Sequence, residues 1–272
     1  MIRPLLLNLR RYWHFSMVVP KQLLTYRARF WLDLFIQLLS LTIFLSFWRT
    51  VYADRAVLSG VTLQQLVNYL LLTQIFLRCL QGGNQIILTF GRLMAEGALS
   101  IELVRPIDFQ LGMFAQMLAS VATDLLFKIP LLLIAVTVFG LDIAVGPLQC
   151  AICLLLLLLG MVALFLFDWL LACLVLYTTE AWGLGLVRYA VAAFFGGVFV
   201  PIKLMPEWLA TIAINMPFSQ ALYVPISFLV GFAPLDQTWQ SLLIQLAWIV
   251  VLLPLSRLMF RAGLKRAVIQ GG

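Results

Sequence analysis

From Leu148 to Tyr177 the chain runs thirty residues with one charge, Asp168. A transmembrane helix needs roughly 20 apolar residues, so a run of this length and purity commits the chain to a bilayer. The rest of the sequence agrees with it. Apolar residues make up 64% of the 272 and charged residues only 11%, far more apolar surface than a soluble domain can cover. About six spans with short loops would use nearly all of it.

Taken in order, span 1 is expected over about 31–51, span 2 over 63–82, span 3 over 110–139, span 4 over 147–177, span 5 over 183–203 and span 6 over 237–260. Gly82, Gly83 and Asn84 are expected to weaken the second helix before the next loop, and Pro147 suits the first turn of the fourth. Residues 52–62 read as a short polar loop, and 140–146 as a turn whose only charge is Asp142.

Residues 1–30 hold six basic residues and no acid, with Leu5, Leu6, Leu9, Tyr12 and Trp13 at near-helical spacing. That pattern predicts amphipathic helices lying in the membrane interface, divided at Pro20. The apolar stretch 5–7 is too short for a signal-peptide core, so the segment is expected to be retained. Two units follow, an interfacial segment over 1–30 and a membrane domain over 31–272.

The formal charge of +7 would suggest nucleic acid in a soluble protein. Here the basic residues gather at span ends, where they act as topology signals, and no nucleic-acid partner is expected. The N-terminal six, Arg92, Arg105, Arg188 and the tail residues Arg261, Lys265 and Arg266 fall on one side; Arg55 and Lys203 fall on the other. Both termini are therefore expected in the cytoplasm.

Between spans 5 and 6, residues 205–231 break the pattern. Pro206, Pro217 and Pro225 divide an apolar stretch into pieces too short to span, which predicts a re-entrant helical hairpin on the external side. A single kinked span would put the tail outside and break the charge asymmetry.

Between spans 2 and 3, Arg92, Glu96, Glu102 and Arg105 lie within fifteen residues that end at Pro106. This polar elbow and the hairpin carry a family resemblance. Glu96-Gly97-Ala98-Leu99 followed by Leu103-Val104-Arg105-Pro106 resembles the G-x-L and L-x-R-P signature of ABC-2 type permeases, the membrane subunits of one class of ATP-binding-cassette exporters. Pro201, Leu204, Met205-Pro206-Glu207-Trp208-Leu209, Met216-Pro217-Phe218, Pro225 and Gly231 are similar to the same family's late segment, and the ending Gly271-Gly272 fits it. The likeness covers essentially the whole chain and is nearest to stand-alone six-span bacterial permeases.

The resemblance implies an all-α integral membrane protein of the bacterial plasma membrane, working as half of a dimer with a second permease copy or a paralogue. It implies that the elbow is a coupling helix seated in a separate cytoplasmic ATPase subunit. Gly97 would let the chain turn, Leu99 and Leu103 would share one helical face, Pro106 would end the helix, and Glu102 and Arg105 would meet partner charges. Glu180, in the connection 178–182, would make a second, weaker contact. The chain itself has no G-x-x-x-x-G-K-[ST] loop, so ATP and magnesium belong to the partner and this chain needs no cofactor.

Charges within the spans are the other candidates. Asp124 and Lys128 lie four apart and so share one helical face. Each alone would cost about 2.5–3.5 kcal/mol at the bilayer centre, which requires a neutralising pair or a wet pathway. Arg78 and Asp168 are candidate partners of one another or of that pair. These residues either line a path for a substrate head group or fix helix register, and both readings stand. A proton relay would need a continuing chain of acids or histidines, which is missing; proton-coupled transport and a non-transporting scaffold are the competing functions.

Four small residues in span 5, Ala192, Ala193, Gly196 and Gly197, permit close helix contact and are assigned, through the family, to the interface between two permeases. The four cysteines and the C-x-x-C at 150–153 read as packing, with no metal site, and His14 as a headgroup-level residue.

Overall fold

A computed structural model describes residues 27–54, 57–141, 146–178 and 180–270. The expected interfacial helices of the N-terminal segment, with His14 and Pro20, lie outside these residues, as do Arg55 and Asp142.

Helix α1, Arg27–Val51, buries a stripe at Leu41, Leu45 and Trp48 and leaves Phe35, Ile36, Ile43 and Phe47 outward. Such a face suits lipid. The loop after it is not irregular. Strands β1 (Val57–Leu58) and β2 (Val61–Thr62) pair antiparallel around Ser59 and Gly60, both at positive φ, the backbone of a tight two-residue hairpin turn. Tyr52 donates its hydroxyl hydrogen to Val61 O at 3.1 Å. Thr62 then forms a reciprocal capping box with Gln65 and opens helix α2, Leu63–Ala95.

α2 corrects the sequence reading most. It runs 33 residues without a break, straight through Gly82-Gly83-Asn84. The glycines are there for neighbours, not for a hinge: a Cβ at Gly82 would press on Met117 at 2.9 Å, and one at Gly83 would overlap the Asp168 carboxylate. After the short helix α3, Leu99–Val104, the third expected span is divided. Helix α4, Phe109–Phe127, stops at Lys128, and α5, Ile129–Thr137, restarts with Pro130 in its first turn.

Helix α6, Pro147–Thr178, is the axis of the bundle, flanked by α2 and by the last helix, α11 (Thr238–Gln270). Trp169 at its inner face is fully buried in an aromatic cluster, with ring centroids 5.1 Å from Phe90, 5.2 Å from Phe260 and 5.7 Å from Phe109. α11 continues past the expected end at Phe260, so the basic tail is helical.

The fifth expected span is shorter than its apolar run. Helix α7, Trp182–Phe195, ends where Gly197 adopts φ +76°. The interval 205–231 holds α8 (Glu207–Asn215), α9 (Pro217–Ala221) and α10 (Tyr223–Leu229), each opened or interrupted by a proline. Residues 217–228 are buried, and the carbonyls freed at their bends are satisfied by protein: Ser219 Oγ donates to Ala213 O at 2.6 Å, Gln220 Nε2 to Ile214 O at 2.7 Å, and Trp248 Nε1 to Asn215 O at 2.8 Å. Gln245 of α11 bridges Leu156 O and Gln220 O, both at 3.0 Å. Gly160 of α6 makes the seat, since a Cβ there would strike the Gln220 backbone.

Among the described residues, four helical stretches are long and apolar enough to cross a membrane: 31–51, 109–127, 147–178 and 235–265. α2 is not among them, because glutamines, asparagines and Arg78 dilute it, and α7 is too short.

Replacing Gly160 by valine should overpack the seat of α9 at about 1–3 kcal/mol or more. Thermal melting of the purified protein should fall well below wild type, and an unchanged melting point would count against this packing.

Candidate functional site

Among the described residues, two clusters of charged side chains stand inside the bundle. The first joins α6 and α7. Asp168 is 0% exposed and Arg188 3%, and the guanidinium engages the carboxylate as a two-pronged fork, Nε to Oδ1 at 2.7 Å and Nη2 to Oδ2 at 2.6 Å. The remaining nitrogen, Nη1, donates to Leu80 O of α2 at 2.7 Å, and the cation lies 5.9 Å from the centroid of Phe218 in α9. One ion pair thus touches four helices. Arg188 is therefore not the surface topology signal that its position suggested, and Asp168 pairs with it and not with Arg78.

The second cluster joins α2 and α4. Lys128 meets Asp124 at 3.0 Å, the pair expected from their spacing, and also donates to Gln74 O at 2.8 Å and Ile75 O at 3.2 Å. It can do so because α4 ends at Lys128, releasing its side chain toward α2. Arg78 donates to Ser120 Oγ from Nε and Nη2, at 3.2 and 2.7 Å, and from Nη2 to Gln85 Oε1 at 2.8 Å. All of its partners are neutral.

The elbow follows α2. Arg92 is exposed in the last turn of that helix, Glu96 caps it, and Gly97 turns the chain at φ +65°, a conformation that favours glycine. In α3, Leu99 is buried against the bundle, while Ile101 (67% exposed), Leu103 (38%) and Val104 (84%) stand outward. Glu102 and Arg105 pair with each other at 2.9 Å. Arg105 is extended, as a residue before Pro106 must be. Asp108 then caps α4 by accepting from Leu111 N at 2.8 Å and is held by Arg257 of α11. Glu180 accepts from Gly183 N at 3.0 Å, which ties it to the start of α7.

Residues 37–271 match the family model described as ABC-2 family transporter protein. The chain belongs to that family. No curated protein matches it.

As an ABC-2 family permease it is a membrane subunit, not itself the ATPase. Within this permease the four small residues of α7 do not face outward. Ala192 and Ala193 are each 1% exposed, a Cβ at Gly196 would press on Leu80, and Gly197 O accepts from Tyr69 at 2.7 Å. With Gly185 and Arg188 they form the inner face of α7, so their small size serves the approach to α2. The expectation that they line an interface with a second permease is corrected. The outward face carries Leu186, Val187, Val191 and Phe194.

Sequence reasoning passed over Asp108 and Arg257. Asp108 had a signal, an aspartate at the start of an apolar helical run, but its long-range partner did not.

Removing one member of the Asp168–Arg188 pair leaves a buried charge uncompensated, at about 3–5 kcal/mol. D168N and R188Q should each lose most monodisperse protein on size exclusion, and the double replacement D168L/R188M should recover much of it. Single variants as stable as wild type would contradict the assignment.

Proposed function

We propose that this permease is half of a dimeric ATP-driven exporter whose motor is a separate ATPase that docks on α3. The observation that carries the reading is the apolar surface of α3. Helix α2, 33 residues long, measures about 50 Å, well beyond a hydrocarbon core of about 30 Å, and α3 follows its far end. Outside lipid, an exposed Ile101, Leu103 and Val104 favour a protein cleft.

In this reading α1, α2, α4 with α5, α6, α7 continued by residues 196–203, and α11 are the six crossings, both termini are cytoplasmic, and α8 to α10 form the external re-entrant segment, whose bends are satisfied within the chain. The membrane is the bacterial inner membrane. The dimer contact runs along the outward face of α7 with α1. Arg92 and Glu96 flank the docking surface, and Glu180 lies at its margin. Closure of the ATPases on ATP displaces α3, which packs on α2 through buried Leu99 and joins α4 through the short link 105–108, so both helices move with it. The Asp168–Arg188 fork carries that motion to α7.

The full chain should co-purify with an ATPase subunit. I101D and V104D should each reduce the co-purified ATPase at least tenfold without lowering the melting temperature. Retention of the ATPase by both variants, or proton-gradient-driven flux by the lone chain, would overturn the proposal.

A further inference from the structure

The second polar cluster carries one more positive charge than it neutralises. Lys128 has Asp124 beside it, whereas Arg78 has no carboxylate partner among the described residues, and its Nη1 donates to nothing among them. Arg78 also stands near the middle of α2, about 23 Å from Leu63 at helical rise. A half-buried guanidinium left with neutral partners inside a membrane bundle is unfavourable unless an anion or water meets it.

The face of α2 that bears it is polar to the helix end. Arg78, Gln81, Gln85, Thr89 and Arg92 follow one another at three- and four-residue spacing, each half-buried or exposed. A stripe of amides and guanidinium suits a wet path better than lipid. About 15 Å along α2 from Arg78, Leu88 joins Asn84, Trp182, Leu186 and Tyr189 around an open pocket of 290 Å³ whose walls are mostly apolar and aromatic.

We infer that Arg78 is an anion-binding residue in the translocation path, and that the transported class is an amphiphile with an anionic head group, phosphate, sulfate or carboxylate, on an apolar body. The head group pairs with the open guanidinium edge, beside Ser120 and Gln85, while the body lies along Leu88 and the pocket. Asp124 keeps Lys128 from competing for the same anion. This inference rests on the exporter reading for its purpose, though not for the binding itself.

The test uses the full-length chain in a neutral maltoside detergent, with hexadecyl phosphate as the probe and zwitterionic hexadecyl phosphocholine as its matched control. Wild type should bind hexadecyl phosphate at least tenfold tighter than the control by titration calorimetry. R78Q should abolish the preference and R78K keep part of it. D124N, which makes the cluster more positive, should strengthen it, and this variant keeps the test decisive if R78Q does not fold. Displacement by inorganic phosphate would identify a free anion reaching the site through water; displacement only by phosphatidylglycerol vesicles would identify a lipid-held head group. Equal binding of probe and control by wild type, or a D124N preference no greater than wild type, would overturn the inference. Because binding is read on this chain alone, loss of ATPase co-purification sinks the exporter reading and leaves this result standing.

Discussion

A carboxylate and a guanidinium at no more than 3% exposure, in a chain built to sit in lipid, have to hold each other or the bundle fails. Asp168 and Arg188 do so in fork geometry, and the space they need explains several neighbours at once. Gly83 has no side chain because the Asp168 carboxylate occupies that place. Leu80 lends a carbonyl to the third nitrogen, and Phe218 offers its ring to the cation. The pair therefore sets the register of α2, α6 and α7 and presses α9 against them. Apolar packing alone is non-directional and would let long leucine-rich helices slide.

That arrangement gives the exporter reading its mechanical content. A push on α3 reaches α2 through Leu99 and the Gly97 turn, and α4 through the link 105–108, beyond which Arg257 ties the Asp108 cap to α11. The ion pair then passes it to α7. The links are the buried apolar contact of Leu99, the covalent elbow and the polar contacts of Asp108 and Asp168, which together can move as a unit. The Arg78 cluster is the contrasting case, since its cation is not consumed by structure.

The membrane class, the all-α fold, the family and the Asp124–Lys128 pair were legible in the sequence, because apolar length and four-residue spacing are local signals. Gly82 and Gly83 misled because a glycine pair looks the same whether it loosens a helix or admits a neighbour. Arg188 misled because proximity to a span end resembles a topology signal, and only the fold reveals Asp168 opposite. The small residues of α7 were read as a meeting face correctly, but the face meets α2. A small-residue stripe states that something comes close and does not say what. The break of α4 at Lys128 was masked by the largely apolar run over 129–139, although Pro130 marked it.

The central claim, that α3 faces the cytoplasm and is held there by a separate motor, can be read with one cysteine. In a background where Cys79, Cys150, Cys153 and Cys173 are replaced, a cysteine introduced by V104C should react with a membrane-impermeant maleimide in inverted vesicles. It should be silent in right-side-out vesicles and protected when the partner ATPase is present. Labelling from the outside, or labelling indifferent to the ATPase, would contradict the account.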